Sequence, residues 1–212
     1  MNQVAPRSAA AGALASLATL KTGLQNVQST LKSVGGEGLL LRLLKDGVWV
    51  YGPENVEVEE GALWAVNPLS IRHGWVAWTD YEDSRRTNEI VAEMMVPLTD
   101  PLPNRALFQD VYTEENGTEW SQQVAFSAKC LSGEDVGTEV LYKNTAVGGI
   151  NNTKKLISAI IQQLDKDNTN IVPVIELKVD SYTHRKWGKT FTPIFDVVQF
   201  TPLDQTQEEA QA

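Results

Sequence analysis

The spacing of apolar and polar positions changes along the chain and divides it into parts. Leu14, Leu17, Leu20, Leu24, Val27 and Leu31 recur at intervals of three and four, which is one stripe of an amphipathic helix. Gly35-Gly36 ends that pattern. From Leu39 to about Phe200 the texture changes to short β-rich runs bounded by Gly, Pro, Asn and Asp. Val48–Tyr51 stops at the turn Gly52–Asn55, and Leu63–Val66 stops at Asn67-Pro68; Gly74–Trp78 and Glu89–Val96 follow. Residues 97–118 carry Pro97, Pro101 and Pro103 in a long excursion, a feature that in compact domains is usually functional or mobile.

The second half reads more sharply. Val124, Phe126, Ala128 and Cys130 alternate with Gln123, Ala125, Ser127 and Lys129, a half-buried strand in which Cys130 is a small inward hydrophobe. Glu139–Lys143 is a further strand. Asn152 or Thr153 can cap a helix with apolar positions Leu156, Ile157, Ile160, Ile161 and Leu164, ended by Asp165 to Asn170. Val174–Tyr182 turns Ile175, Leu177 and Val179 inward. Phe191–Phe200 closes the domain, with Pro193 confining its first part to an edge or a strand start. Seven to nine strands with one late helix, and no strand–helix alternation, argue against a parallel α/β sheet. They predict a mainly β chain with some α: a small antiparallel Greek-key barrel of OB type with one inserted helix. The organisation expected is an N-terminal helical arm over 1–36, the barrel domain over 37–202 and an acidic, disordered tail over 203–212.

Composition narrows the classes. The 212 residues are 42% hydrophobic with a net charge of −9, one ordinary domain with enough apolar content to bury a core. No stretch reaches the roughly 18 apolar residues of a membrane helix. The single cysteine excludes an intramolecular disulfide framework and fits a reducing cytoplasm. The acidic balance argues against coating duplex DNA by bulk charge.

Catalytic constellations are missing. Gly148-Gly149 and Gly35-Gly36-Glu37-Gly38 lack the lysine of a phosphate loop. Asp80, Glu82 and Asp83 with Glu89 are the carboxylates a metal-dependent nuclease would need. Arg85 and Arg86 follow at once, though, and make a solvated hairpin tip the better reading. His73 has no nucleophile at a recognisable position. The expectation is a non-enzymatic protein without metal or cofactor.

Aromatic placement carries the functional signal. Six tryptophans are present. Trp49 and Tyr51 share a strand face, whereas Trp75 and Trp78, three apart, face opposite sides of a regular strand. Between Lys178 and Phe191, Tyr182, Trp187 and Phe191 are interleaved with His184, Arg185, Lys186 and Lys189 at what reads as a hairpin tip. Single-stranded nucleic acid is bound by this mixture, bases stacking on aromatic faces while cations follow the phosphates. Lys143, Lys154 and Lys155, bracketing the Gly148-Gly149 turn, extend the basic surface. Tryptophans in small β domains are mostly core, so the cluster weighs more than any one ring.

The runs GVWVYGPENVEVEEGALWAVNPLSIRHGWVAW from Gly47, EMMVPLTDPLP from Glu93, KCLSGEDVGTEVLYK from Lys129 and VIELKVDSYTHRKWGKTFTPIFDVVQF from Val174 resemble a family of phage and prophage proteins. That family is associated with replication or recombination genes and single-stranded DNA binding. The resemblance covers roughly residues 45–200 and omits both ends. It implies an OB-like, non-enzymatic binder acting in the infected cell's cytoplasm, with DNA contact at Tyr182–Phe191 and at the Trp75/Trp78 strand. The residues and the resemblance together predict a single-stranded DNA-binding protein without sequence preference. Trp75, Trp78, Tyr182, Trp187 and Phe191 would stack; Lys143, Lys178, Arg185, Lys186 and Lys189 would meet phosphates. The acidic tail is the segment expected to recruit replication or recombination proteins, although it lacks the terminal aromatic such tails often bear. A homo-oligomer fits this reading. The alternative is a non-enzymatic virion or assembly protein whose aromatics serve core and protein contacts.

Overall fold

The computed structural model describes residues 38–78, 90–104, 120–186 and 188–203, with backbone alone for residues 78 and 91. These residues belong to one compact unit that begins at Gly38. The strands are β1 (Leu39–Leu43), β2 (Trp49–Tyr51), β3 (Val56–Glu57), β4 (Leu63–Val66), β5 (Arg72–Trp78), β6 (Ile90–Pro97), β7 (Trp120–Cys130), β8 (Glu139–Asn144), β9 (Asn170–His184) and β10 (Gly188–Pro202). A helix, α1 (Val147–Lys166), separates β8 from β9. Among the described residues no helix is long and apolar enough to cross a membrane.

The protein is mainly β, with a mixed sheet that is not closed. Its main path runs β10-β9-β4-β7-β8-β1-β2-β3, and β5 branches from β7 carrying β6. The long strand β7 explains the branch. Its Ala128–Cys130 end pairs with β4, and its Trp120–Ala125 end pairs with β5 on the same edge. A 3-10 turn, Pro68–Ser70, breaks what would otherwise be one strand. Asn67 caps that turn, its side chain accepting from the Leu69 N–H at 2.9 Å, and Ser70 Oγ accepts from the Ser127 N–H at 2.8 Å. The break is thereby stitched to β7 instead of opening the sheet.

The sheet departs from an antiparallel barrel at β1, which runs parallel to β8 with Leu41 opposite Tyr142. Hairpins fix direction only for strands joined by a short turn, and β1 and β8 are not so joined. Strand counting therefore carries no information about that pair.

The core lies on the face of β7 that carries Phe126, Ala128 and Cys130, against Leu156 and Ile160 of α1. Phe126, Tyr142 and Phe195 form a triangle with ring centroids 5.0–5.1 Å apart. Trp49 packs on both Tyr142 and Phe195 at 6.1 Å. Such rings add roughly 0.5–1.5 kcal/mol per pair beyond their buried area. Trp49, Tyr51 and Trp64 are all buried, as the shared strand face of Trp49 and Tyr51 allows. Burial pushes the Tyr142 phenol up, the Asn144 side chain partly opposing this, and burial likewise raises the Cys130 thiol.

Helix α1 begins earlier than a cap at Asn152 or Thr153 implies. Its N-cap is Ala146, whose N–H donates to Asn144 Oδ1 at 2.6 Å. Asn152 and Thr153 are buried within the helix and donate to the carbonyls of Gly148 and Gly149, at 3.0 and 2.9 Å. Gly148-Gly149 is thus helical, not a turn. A Cβ at Gly149 would run into the Asn144 side chain, so the missing side chain is what lets the helix start here.

Candidate nucleic-acid interface

Strand β9 pairs with β4 only over Val174–Glu176, whereas it pairs with β10 from end to end. Beyond Glu176, among the described residues, the two strands are paired only with each other and form a two-stranded ribbon. The root of the ribbon is tied down. Trp49 Nε1 donates to the Lys178 carbonyl at 3.1 Å, and Phe195 enters the core. The Phe191 ring covers Gly47, which holds φ +91 and whose absent Cβ would lie 2.7 Å from that ring. The ribbon turns at Arg185-Lys186, and Gly188 resumes β10 at φ +72.

Register sorts the side chains. Tyr182 stands opposite Thr190, and Phe191 opposite Ser181. Cross-strand partners share a face and neighbours along a strand do not, so Tyr182 and Phe191 lie on different faces. Tyr182 is 52% exposed, with its ring edge-on to His184 at 6.4 Å. Phe191 is half-buried, with Gly47 on one side and Lys189 Nζ 4.7 Å over its ring. It serves the root more than a stacking platform. Arg185, Lys186 and Lys189 are exposed at the tip. His184 Nδ1 accepts from the Lys186 N–H at 3.1 Å, which fixes the turn and leaves the proton of a neutral ring on Nε2.

Two expected phosphate contacts face carboxylates instead. Lys178 Nζ lies against Asp196 at 2.5 Å and Glu176 at 3.0 Å, and these two acids, Asp196 foremost, hold its ammonium above the usual lysine range. Lys143 Nζ meets both Glu93 oxygens, at 2.9 and 3.0 Å, while Gln123 Nε2 donates to the same carboxylate at 3.2 Å. Each cross-strand acid reaches its lysine from another strand, where spacing along the chain does not reveal it.

Trp75 belongs elsewhere. Its register opposite Gln122 places it on the branch of the sheet. Along β4, Leu63 stands opposite Glu176, and β9 leaves β4 from that pair toward His184. Strand β5 continues β4 along the same edge of β7, away from the end at which β9 leaves, so Trp75 and the ribbon tip occupy opposite ends of the sheet. The Trp75 indole is half-buried and donates to the Pro103 carbonyl at 2.8 Å; two residues away, His73 Nε2 meets the Asp100 carbonyl at 2.9 Å. These two rings, on one face of β5, strap the segment Leu98–Asn104 over the strand. The i, i+2 spacing of His73 and Trp75 was a legible sign of a shared face; their backbone partners were not. Trp78 ends β5 after an irregularity in register, with its backbone opposite Ile90. The side chains of Trp78 and Trp187, the carboxylates Asp80, Glu82, Asp83 and Glu89, the N-terminal arm and the acidic tail lie outside the described residues. Lys154 and Lys155 are exposed on α1, not beside a turn. Among the described residues no group of three or more His, Cys, Asp or Glu side chains could hold a metal ion.

What remains at the ribbon tip is Tyr182, His184, Arg185 and Lys186, with Lys189, opposite Thr183, on the Phe191 face. Between Asp180 and Asp196 the sequence has three cations and no carboxylate. No protein-family model matches the chain, and searches of curated proteins and of solved structures gave no match.

Proposed function

We propose that this chain is a non-enzymatic single-stranded DNA-binding protein that engages its ligand with the β9–β10 ribbon. Tyr182 supplies a stacking face, and Arg185, Lys186 and Lys189 follow the phosphates, with Trp187, next to Lys186 in sequence, as a second aromatic. The observation that carries this reading is a ribbon tip with three cations and no carboxylate between Asp180 and Asp196, beside an exposed aromatic, on a molecule of net charge −9. In such a molecule local charge, not bulk charge, must steer a polyanion. In the finer form of the proposal the bent sheet is an OB-like barrel. The protein then works in phage replication or recombination in the host cytoplasm, as the resemblance implies, and the acidic tail meets replication or recombination proteins.

The test is fluorescence anisotropy of a labelled oligo-dT strand titrated with the full chain across a salt series. Binding that falls linearly in log–log coordinates supports the proposal. No binding at low salt overturns it. The second reading, an assembly protein acting through protein contacts, draws on the exposed apolar side chains Ile90 and Met94 of β6. An oligomer that ignores DNA would select it.

A further inference from the structure

Each face of the β9–β10 ribbon is closed a short way from the turn. On one face the pair Tyr182 and Thr190 is followed, toward the root, by Asp180 and Thr192. Asp180 is an exposed carboxylate, and Thr192 is half-buried beside the first turn of α1, where a Cβ on Gly148 would lie 2.7 Å from its methyl group. The next pairs on that face are Lys178 with Ile194 and Glu176 with Asp196, and the two acids hold the lysine. A polyanion laid lengthwise here would leave Tyr182 and meet three carboxylates against one lysine already neutralised by two of them.

The other face carries Lys189 opposite Thr183 and then Phe191 opposite Ser181. There the Gly47 turn comes against the Phe191 ring and ends the open surface. What lies between these limits is short, since from Asp180 to His184 the strand rises only about 13 Å.

The ring and the cations do not share a face. Tyr182 stands on one and Lys189 on the other, with Arg185 and Lys186 exposed in the turn that joins them. A strand lying along the ribbon can reach the ring or Lys189, but not both. One that passes across the end reaches the ring, the two turn cations and Lys189 in succession.

We infer that the ligand is a short unpaired stretch of DNA that crosses the ribbon tip, with one phosphate for each of Arg185, Lys186 and Lys189. This rests on the DNA-binding reading of the ribbon and sets its substrate class: gaps, loops and ends with a few unpaired bases suffice. Three phosphate contacts on a single strand give a log–log salt slope of about 2, whatever the length of the strand. Such a footprint lies at or below the lower end of the roughly 4–16 nucleotides that an OB fold covers when a strand follows its groove.

The test is competition of unlabelled oligo-dT strands of five, ten and twenty nucleotides against a labelled one across a salt series. The competitor is kept in excess, so that each strand carries at most one molecule of the full chain. The expected slope is about 2 at every length. Asp180→Lys, which turns the boundary into a cation, is expected to raise the slope by about 0.7 with the two longer strands. Circular dichroism checks that the variant remains folded. A slope that climbs from five to twenty nucleotides in the wild type, or one that Asp180→Lys leaves unchanged, overturns the inference and leaves the DNA-binding reading standing. No binding of the twenty-nucleotide strand at low salt overturns that reading and the inference with it.

Discussion

Tyr182 and Phe191 project from opposite faces of the β9–β10 ribbon, because Tyr182 pairs with Thr190 and Phe191 with Ser181. One ring is offered to solvent while the other closes the ribbon root over Gly47. Their substitutions should therefore separate cleanly. Tyr182→Ala is expected to weaken oligo-dT binding by about 1–3 kcal/mol with the melting temperature nearly unchanged. Phe191→Ala should cost about 2 kcal/mol of stability, since a half-buried ring is removed from a packed site. Anisotropy and chemical denaturation on both variants check the split.

The cations should separate in the same way. Replacing Arg185, Lys186 and Lys189 together by Ala is expected to reduce the log–log salt slope by about 2, since on a single strand each phosphate left without its cation removes about 0.7 unit. Lys143→Ala and Lys178→Ala should leave the slope almost as it was, because carboxylates already neutralise both. A slope that drops equally for Lys143→Ala would place the phosphate path on the outer face of β8.

Trp75→Phe keeps an aromatic ring and removes the N–H that holds Pro103. The expected outcome is faster proteolytic cleavage within Leu98–Asn104 and unchanged oligo-dT affinity, since Trp75 and the ribbon tip are at opposite ends of the sheet. Weaker affinity with an unchanged cleavage rate would instead set the Trp75 ring directly against DNA.

A pH effect follows from Tyr51. Its hydroxyl donates to Asp135 Oδ1 at 2.5 Å, and that bond, with burial, raises the phenol from 10.0 to about 12. The folded protein then holds this proton more tightly than the unfolded chain. The stabilisation is complete below pH 10 and is lost as pH rises toward 12. Urea midpoints should fall across that window, and less steeply in Tyr51→Phe, which has no proton to lose.

Gly149→Ala reverses a common expectation. Alanine in a helix interior normally gains about 1 kcal/mol over glycine. Here the added Cβ meets the Asn144 side chain, which accepts the N–H that starts the helix. The variant should be less stable than the wild type by denaturant unfolding.

Much of this architecture was legible in the sequence because period-two alternation leaves little choice of face. The Val124–Cys130 and Val174–Tyr182 runs lie in strands, and Cys130 is buried within the core; the faces follow only in part, since Val179, expected inward, is exposed on the ribbon and Gln123 and Ala125 are buried as well. Other features depend on neighbours distant along the chain. The parallel pairing of β1 with β8 has no connecting turn to announce it. The start of α1 was hidden because a glycine pair reads as a turn until Asn144 is seen filling the space. The ribbon faces turned on a single residue. Residues 185–187 separate His184 from Gly188, so residues of equal parity share a face. A turn shorter or longer by one would have set Tyr182 and Phe191 on the same face. The carboxylates of Glu93 and Asp196, which meet Lys143 and Lys178, were invisible for the same reason: Asp196 arrives from the neighbouring strand β10, and Glu93 from β6, two strands removed from β8 across β5 and β7.

Strand β4 also constrains the order in which the chain can acquire its structure. It is four residues long, yet it joins the ribbon to the body, with Trp64 opposite Cys130 on one side and Ile175 on the other. Those partners lie 66 and 111 positions further along the chain, by subtraction of the residue numbers. The ribbon and α1, by contrast, are built from one continuous stretch and need no distant partner to begin. Loop-closure entropy favours a late β4 junction in folding and, during synthesis, that junction cannot be completed until Val174–Glu176 of β9 have been made.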